Sequence, residues 1–306
     1  MNAAQERMYS RKFGVFNHFL FGAPGGSISA DAETDNWNAR VDAFDVQYVA
    51  KTLHEIGAGY YFITLMQGRK YMAAPNAAFD AIAGTKSGEA CARRDLILAL
   101  SDALRPYDID LYLYFTGDGP YKDVECGEKF GFVEPRKHIS LDFCRRWASV
   151  LEEYAVRYGD RVRGWWIDGC YDYFGYDEER LSYYHNAVKR GNPNAMTAMN
   201  NGVKDDLLKW YSGDEFTCGE YNFFDYIPHS RSIDDAQAHI LAPLGLSADG
   251  SPWGGWNRPG CKCTKAELRA YVNRVHDAGG VVTIDFHIRP DCTFDADQLE
   301  VLSGIR

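Results

Sequence analysis

What this chain lacks narrows its function before any motif is read. No run of apolar residues approaches the roughly 20 that a membrane-spanning helix requires, so a helical membrane protein is excluded. Positive charge is in deficit: 33 lysines and arginines stand against 43 aspartates and glutamates, giving a formal net charge of −10, and no basic stripe collects along the chain. Such a surface repels a polyanion, and nucleic acid is not an expected partner. The eight cysteines (91, 126, 144, 170, 218, 261, 263 and 292) lack paired spacing, and only Cys261 and Cys263 stand close together. Zinc ligands come as repeated pairs two to four residues apart, so reduced thiols and no metal are expected. No Gly-x-Gly-x-x-Gly follows the first apolar segment and no Gly-x-x-x-x-Gly-Lys-Ser/Thr occurs anywhere, which leaves nucleotide cofactors without support. There is no Ser- or Pro-rich linker, no low-complexity tract and no repeat at periods of about 20–50 residues, so residues 1–306 read as one domain. The first twelve residues are polar and lack the apolar core of a secretory leader, which reads as a cytoplasmic protein.

What is present is alternation. Eight apolar segments read as strands, starting near Phe13, Gly59, Asp110, Arg163, Ala195, Phe216, His239 and Gly280. Helical patterns separate most of them. Val46, Val49, Ala50, Leu53 and Ile56 share one helix face, as do Phe143, Trp147, Val150, Leu151 and Tyr154. A further helix opens on a Thr264-x-x-Glu267 capping box and stops at Gly279-Gly280. Parallel strands need crossover helices, so eightfold alternation predicts an α/β fold of TIM-like (β/α)8 type, with some helices of the second half reduced because the fifth to seventh units are short. Long connections at residues 22–42, 67–93, 117–138 and 248–262 then lie on the C-terminal face, where α/β barrels place their chemistry.

One strand is especially informative. Trp165-Trp166-Ile167-Asp168-Gly169 is bulky and apolar, ends on a carboxylate and turns on glycine, which delivers one acid to the barrel rim. The other strand ends add Asn17 with His18, Gln67, Asp118, Asn200, Glu220, His239, and Asp285 with His287. Trp37, Tyr71, Trp166, Tyr171, Trp253 and Trp256 lie in or beside the same loops. Carboxylates and amides pair with hydroxyls, and flat rings cover C–H faces, so the mixture suits a saccharide substrate, small or oligomeric.

At these residues the chain resembles the α-L-fucosidases of glycoside hydrolase family 29. Lys12-Phe13-Gly14-Val15-Phe16-Asn17-His18-Phe19 is similar to that family's Lys-Phe-Gly-Ile-Phe-Ile-His-Trp. The likeness continues through Phe44-Asp45, Ile56-Gly57-Ala58-Gly59-Tyr60-Tyr61, Arg94-Asp95-Leu96, Trp166-Ile167-Asp168-Gly169 and Gly279-Gly280-Val281-Val282. The resemblance implies a retaining exo-glycosidase without cofactor, in which Asp168 is the nucleophile, Glu220 of Cys218-Gly219-Glu220-Tyr221 the acid/base, and His18 a sugar contact. Another alignment puts the acid position near His239, where no carboxylate stands; Glu215 and Asp285 are further candidates. The family's His-His-Asp-Gly-Phe run is replaced by Gln67-Gly68-Arg69-Lys70-Tyr71, so the hydroxyl pattern that is read, fucose or a related sugar, has shifted. No residues remain for the β-sandwich that many such enzymes append. The loop Trp253-Gly254-Gly255-Trp256, or a second copy of the chain in a homo-oligomer, is left to wall the pocket. Two other readings stand beside this one: a sugar-binding barrel with weak or no catalysis, and a metal-dependent hydrolase built on His18, Asp285 and His287.

Overall fold

In a computed structural model, residues 1–21 and 30–305 are described. Nine strands form: β1 (Phe13–Asn17), β2 (Tyr60–Thr64), β3 (Asp110–Thr116), β4 (Val162–Asp168), β5 (Met196–Met199), a short antiparallel pair β6 (Ser232–Ile233) and β7 (Ala236–Gln237), β8 (His239–Pro243) and β9 (Val281–Asp285). All but that pair join one parallel sheet in the order β5-β4-β3-β2-β1-β9-β8. The sheet is seven-stranded and curled, TIM-like in character.

The predicted sixth strand is the point of difference. Residues 215–221 make isolated parallel bridges, Phe216 to Gln237 and Glu220 to Leu241, in place of a continuous ladder. Backbone bonds still reach both edges of the sheet: the Glu215 N–H donates to the Thr197 carbonyl at 3.0 Å, and the Tyr221 N–H to Leu241 at 2.9 Å. Gly219 explains how the segment lies so close. Its φ is +55°, and a Cβ there would fall 1.9 Å from the His239 carbonyl oxygen.

Helices α1 (Ala3–Ser10), α2 (Ala30–Asp42), α3 (Val46–Ile56), α4 (Ala77–Ala83), α5 (Leu96–Leu104), α6 (Val124–Lys129), α7 (Leu141–Tyr158), α8 (Glu178–Gly191), α9 (Lys265–Asp277) and α10 (Ala296–Leu302) complete the chain. The expected stripes are buried: Val49, Ala50, Leu53 and Ile56 on α3, and Phe143, Trp147, Val150, Leu151 and Tyr154 on α7. The capping box of α9 forms with both reciprocal bonds. Three connections read as loops carry helices instead, α2, α4 and α6. Residues 22–29 of the first of them lie outside the described residues. As expected for the second half, no helix separates β5 from β8.

Strand parity divides two cores. Odd positions of β4, such as Trp165, face the helices, whereas Trp166 joins Phe16, Tyr60, Phe62, Tyr112, Tyr114, Phe216 and Leu241 inside the curl. This inner core is rich in rings where TIM barrels usually stack aliphatic layers. Met8 of α1 belongs to it, so α1 closes the N-terminal end. The Gln5 amide donates to the Glu215 and Asp235 carbonyls there, at 2.8 and 2.7 Å. Among the described residues no helix is long and apolar enough to cross a membrane.

Candidate active site

The inward parity that buries Trp166 carries two residues further to Asp168, at the C-terminal end of β4. Gly169 then turns the chain at φ +71°, with Asp118 directly beneath it. Asp168 Oδ2 accepts from the Tyr114 hydroxyl at 2.5 Å, and Oδ1 accepts from Asn200 Nδ2 at 2.8 Å and from Tyr171 at 3.4 Å. Gln67 Nε2 donates to the same Tyr114 oxygen at 2.7 Å, so a relay runs from Gln67 through Tyr114 to the carboxylate.

The Asn200 amide also donates to Glu220 Oε2, at 2.7 Å. Two carboxyl oxygens bonded to one nitrogen, at 2.8 and 2.7 Å, lie no more than about 5.5 Å apart. Glu220 is half-buried. Desolvation first, and the Asp168 charge second, push its pKa up to about 7; the Asn200 bond and His18 act in the opposite direction. The carboxyl beside Asp168 therefore holds its proton near neutrality. This is the arrangement general acid catalysis requires, an acid poised next to a second carboxylate.

The remaining wall comes from β1 and β9. His18 Nδ1 lies 2.7 Å from Asp285 Oδ1, and Asp285 Oδ2 accepts the Asn257 N–H at 2.7 Å, so Asp285 is spent on orienting His18 and the loop above. Trp256 is half-buried and meets the His18 ring edge-on at 5.8 Å. Trp166, stacked on Tyr114 at 5.3 Å with its N–H on the Cys218 carbonyl, forms the floor.

Asp168, Glu220, Asn200, Gln67, His18, Asp285, Trp166 and Trp256 are thus brought together. Several expected members are not. Asn17 has the outward parity, and its amide is consumed by Tyr61 and the Phe286 carbonyl. His239 faces inward but at the opposite end of the curled sheet; both its ring nitrogens are engaged, by the Thr217 carbonyl and Thr283, and burial pulls its pKa down to about 4. Tyr71 and Trp37 are buried in the outer core. His287 turns Nδ1 to the Asn257 carbonyl. Asp118 is buried under the Gly169 turn with Thr116 and Arg136 as partners; burial, then the charge of Asp168, raises its pKa to about 8, so it supports the turn and does not face a ligand. Glu215 bonds Lys189 and the Thr197 N–H near the N-terminal end, which removes it as an acid candidate. Trp253 stands outside the ring, 63 % exposed. Among the described residues no group of three or more His, Cys, Asp or Glu is arranged to hold a metal ion.

Tyr114 and Arg136 were not among the sequence candidates. Tyr114 lies inside an apolar strand, and only its register opposite Trp166, with Thr116 opposite Asp168, discloses its role. Alternation along β3 was the available signal.

The curled parallel sheet superposes on solved structures of several glycoside hydrolases. An α-L-fucosidase of glycoside hydrolase family 29 from Bacteroides thetaiotaomicron superposes with a TM-score of 0.68 at 18% identity, covering 100% of this chain and 73% of its own. The α-L-fucosidase AlfC of Lactobacillus casei, solved with α-L-fucose product, gives 0.67 at 16% identity over 99% and 97% of the two chains. An endo-fucoidan hydrolase of glycoside hydrolase family 107 gives 0.72 at 15% identity over 98% of this chain and 53% of its own. The sequence matches no protein-family model and no curated protein.

Proposed function

We propose that this protein is a retaining, exo-acting glycoside hydrolase of α-L-fucosidase type. In this reading residues 215–221 complete a (β/α)8 barrel and bring Glu220 across from Asp168. The observation that carries the proposal is the Asn200 amide held between the two carboxyls. The oxygens that share this amide lie no more than about 5.5 Å apart, which supports the close spacing of carboxyl groups, approximately 5–5.5 Å, that double displacement uses.

Glu220 protonates the glycosidic oxygen while Asp168 attacks the anomeric carbon, breaking that C–O bond and forming a glycosyl ester. Esterification removes the charge on Asp168 that helps to hold the Glu220 proton. Glu220, now a carboxylate, takes a proton from water as the water attacks the same carbon and releases Asp168. His18, with Nδ1 committed to Asp285, offers Nε2 to a sugar hydroxyl; Gln67 reads a further hydroxyl, and Trp256 covers the C–H face.

A 2-deoxy-2-fluoro-α-L-fucosyl fluoride tests this reading. Intact-mass analysis should show one fluoroglycosyl group, mapped by peptide digestion to Asp168. An Asp168→Asn variant that folds and retains near-normal turnover would refute the assignment.

A further inference from the structure

Arg136 is a cation beside the carboxyl pair that the reaction as written leaves unused. It takes a left-handed backbone, φ +57°, in a turn where the Lys137 and His138 N–H groups both donate to the Glu134 carbonyl. A non-glycine residue seldom adopts that conformation, and here it carries the guanidinium across the gap between the loops that follow β3 and β4. The guanidinium carbon lies 4.4 Å from the Tyr121 ring centroid and 5.3 Å from that of Phe174, while Nε stands 3.3 Å from Asp118 Oδ2. Both Nη groups lack a hydrogen bond to any described residue, and the side chain is 39 % exposed. Its charge is poorly balanced. Asp118, with its pKa raised to about 8, is largely protonated at neutrality, and Asp123 is committed to the Lys70 N–H at 2.6 Å and to Arg69 at 3.3 Å.

Two further donors stand at the same ring. Lys122 Nζ lies 5.8 Å from the Tyr121 centroid and pairs with no carboxylate among the described residues. The Tyr121 hydroxyl also has no described partner, and burial, with Asp118 second, pushes its pKa up to about 12, so it keeps its proton. Gly68 lets both lie close to the site. Its φ is +70°, and a Cβ there would fall 2.9 Å from the Tyr121 ring and 3.2 Å from the Lys122 stem, so the two pack on the residue next to Gln67. A guanidinium fork, an ammonium and a phenol proton together suit an oxyanion. Position selects the half of the substrate that carries it. β3 and β5 flank β4, and Glu220 is joined to Asp168 through Asn200 on the β5 side, whereas Arg136 is joined to the Asp168 turn through Asp118 on the β3 side. The departing half lies with the acid, so Arg136 faces the sugar that stays on the nucleophile.

We infer that Arg136, Lys122 and Tyr121 form a receptor for an anionic substituent, a sulfate ester or a carboxylate, on the sugar being removed. This assignment rests on the glycosidase reading and narrows its substrate class to an acidic derivative of the sugar in preference to the neutral one. The test compares 4-nitrophenyl α-L-fucoside with its monosulfates and with 4-nitrophenyl α-L-galacturonide, in which a carboxylate replaces the methyl group. One anionic substrate should exceed the neutral one in kcat/KM by roughly tenfold or more, a monosulfate if the receptor takes an ester and the galacturonide if it takes a carboxylate. That ratio should fall by about the same factor in Arg136→Gln, with KM carrying most of the change; Arg136→Lys should recover part of it, and Lys122→Ala, at an exposed position, should lower it in the same direction. Calorimetric titration with sodium sulfate at constant ionic strength reads the receptor without turnover, with binding expected in the wild type and lost in Arg136→Gln. A neutral substrate preferred over every anionic one, together with no sulfate binding, overturns the receptor. A wild-type chain that turns over none of these substrates overturns the glycosidase reading instead, and the sulfate titration then decides the receptor by itself.

Discussion

Asn200 is the residue on which the site turns, because its one amide nitrogen keeps two carboxyl groups at a usable spacing. Its bond to Glu220 lowers a pKa that burial and Asp168 raise to about 7. Removing it in Asn200→Ala should therefore move the alkaline limb of the kcat/KM profile to higher pH, a sign that a pH series with an aryl α-L-fucoside will read directly. Glu220→Gln should reduce kcat/KM of disaccharides by about 10²–10⁴-fold while sparing kcat/KM of substrates whose leaving group needs no proton, such as the glycosyl fluoride, whose kcat still falls because the attacking water loses its base. Equal losses on both substrates would show that Glu220 is not the acid. His18, Asp285 and Asn257 form the opposite wall as a chain of positioned groups, so Asp285 reaches the pocket only through the ring it orients.

At the scale of elements, strand parity decides which polar residues reach the ligand. His18, Asp168, Glu220 and Asp285 share the inward phase of their segments at the C-terminal end. Asn17 is one residue out of phase with His18 and was lost to the outer layer, and His239 is in phase but at the far end of its strand. The sequence discloses phase through alternation, yet β1, β2 and β3 are buried on both faces and read as continuous apolar runs. That is why the candidate strand ends include some that meet in one cleft and some that do not, and why Tyr114 escaped notice. The Asp168-Gly169 turn offers a test. A Cβ at Gly169 would fall 2.5 Å from the Asp118 carboxyl carbon, and φ is +71°. Gly169→Ala should cost about 1–3 kcal/mol of stability and depress activity as well, because the strain is stored beside the proposed nucleophile Asp168; urea unfolding and kinetics on the same sample measure both.

For the whole molecule, the two ends of the sheet do different work. α1 closes the N-terminal end, with Met8 fully buried among the inner rings and Arg7 forked onto Asp110. Met8→Ala should lower stability by about 2–5 kcal/mol, seen as a drop in the urea midpoint, while the folded variant keeps its turnover because the active end is remote. At that active end, stability is set against function. The Glu220 carboxyl titrates near 7 in the native state and near 4.5 unfolded, so its stabilising contribution is complete below about pH 4.5 and is lost as pH rises through 7. Glu220→Gln, which cannot ionise, should thus be more stable than the wild type near pH 8, by on the order of 3 kcal/mol, and the difference should close toward pH 4.5.

The sequence alone determined the class of fold, because the helix stripes, the capping box at Thr264 and the apolar strands are local patterns fixed by backbone periodicity. It also singled out Asp168, since an apolar strand ending in Asp-Gly can place its acid only at a rim. What only the tertiary structure decided is the partnership: that Glu220, on a segment too irregular to pair as a full strand, reaches within about 5.5 Å of Asp168, and that Glu215, five residues earlier, does not. Distances between segments 32 or 52 residues apart depend on the curl of the sheet and on one shared amide, and no local pattern of side chains encodes either.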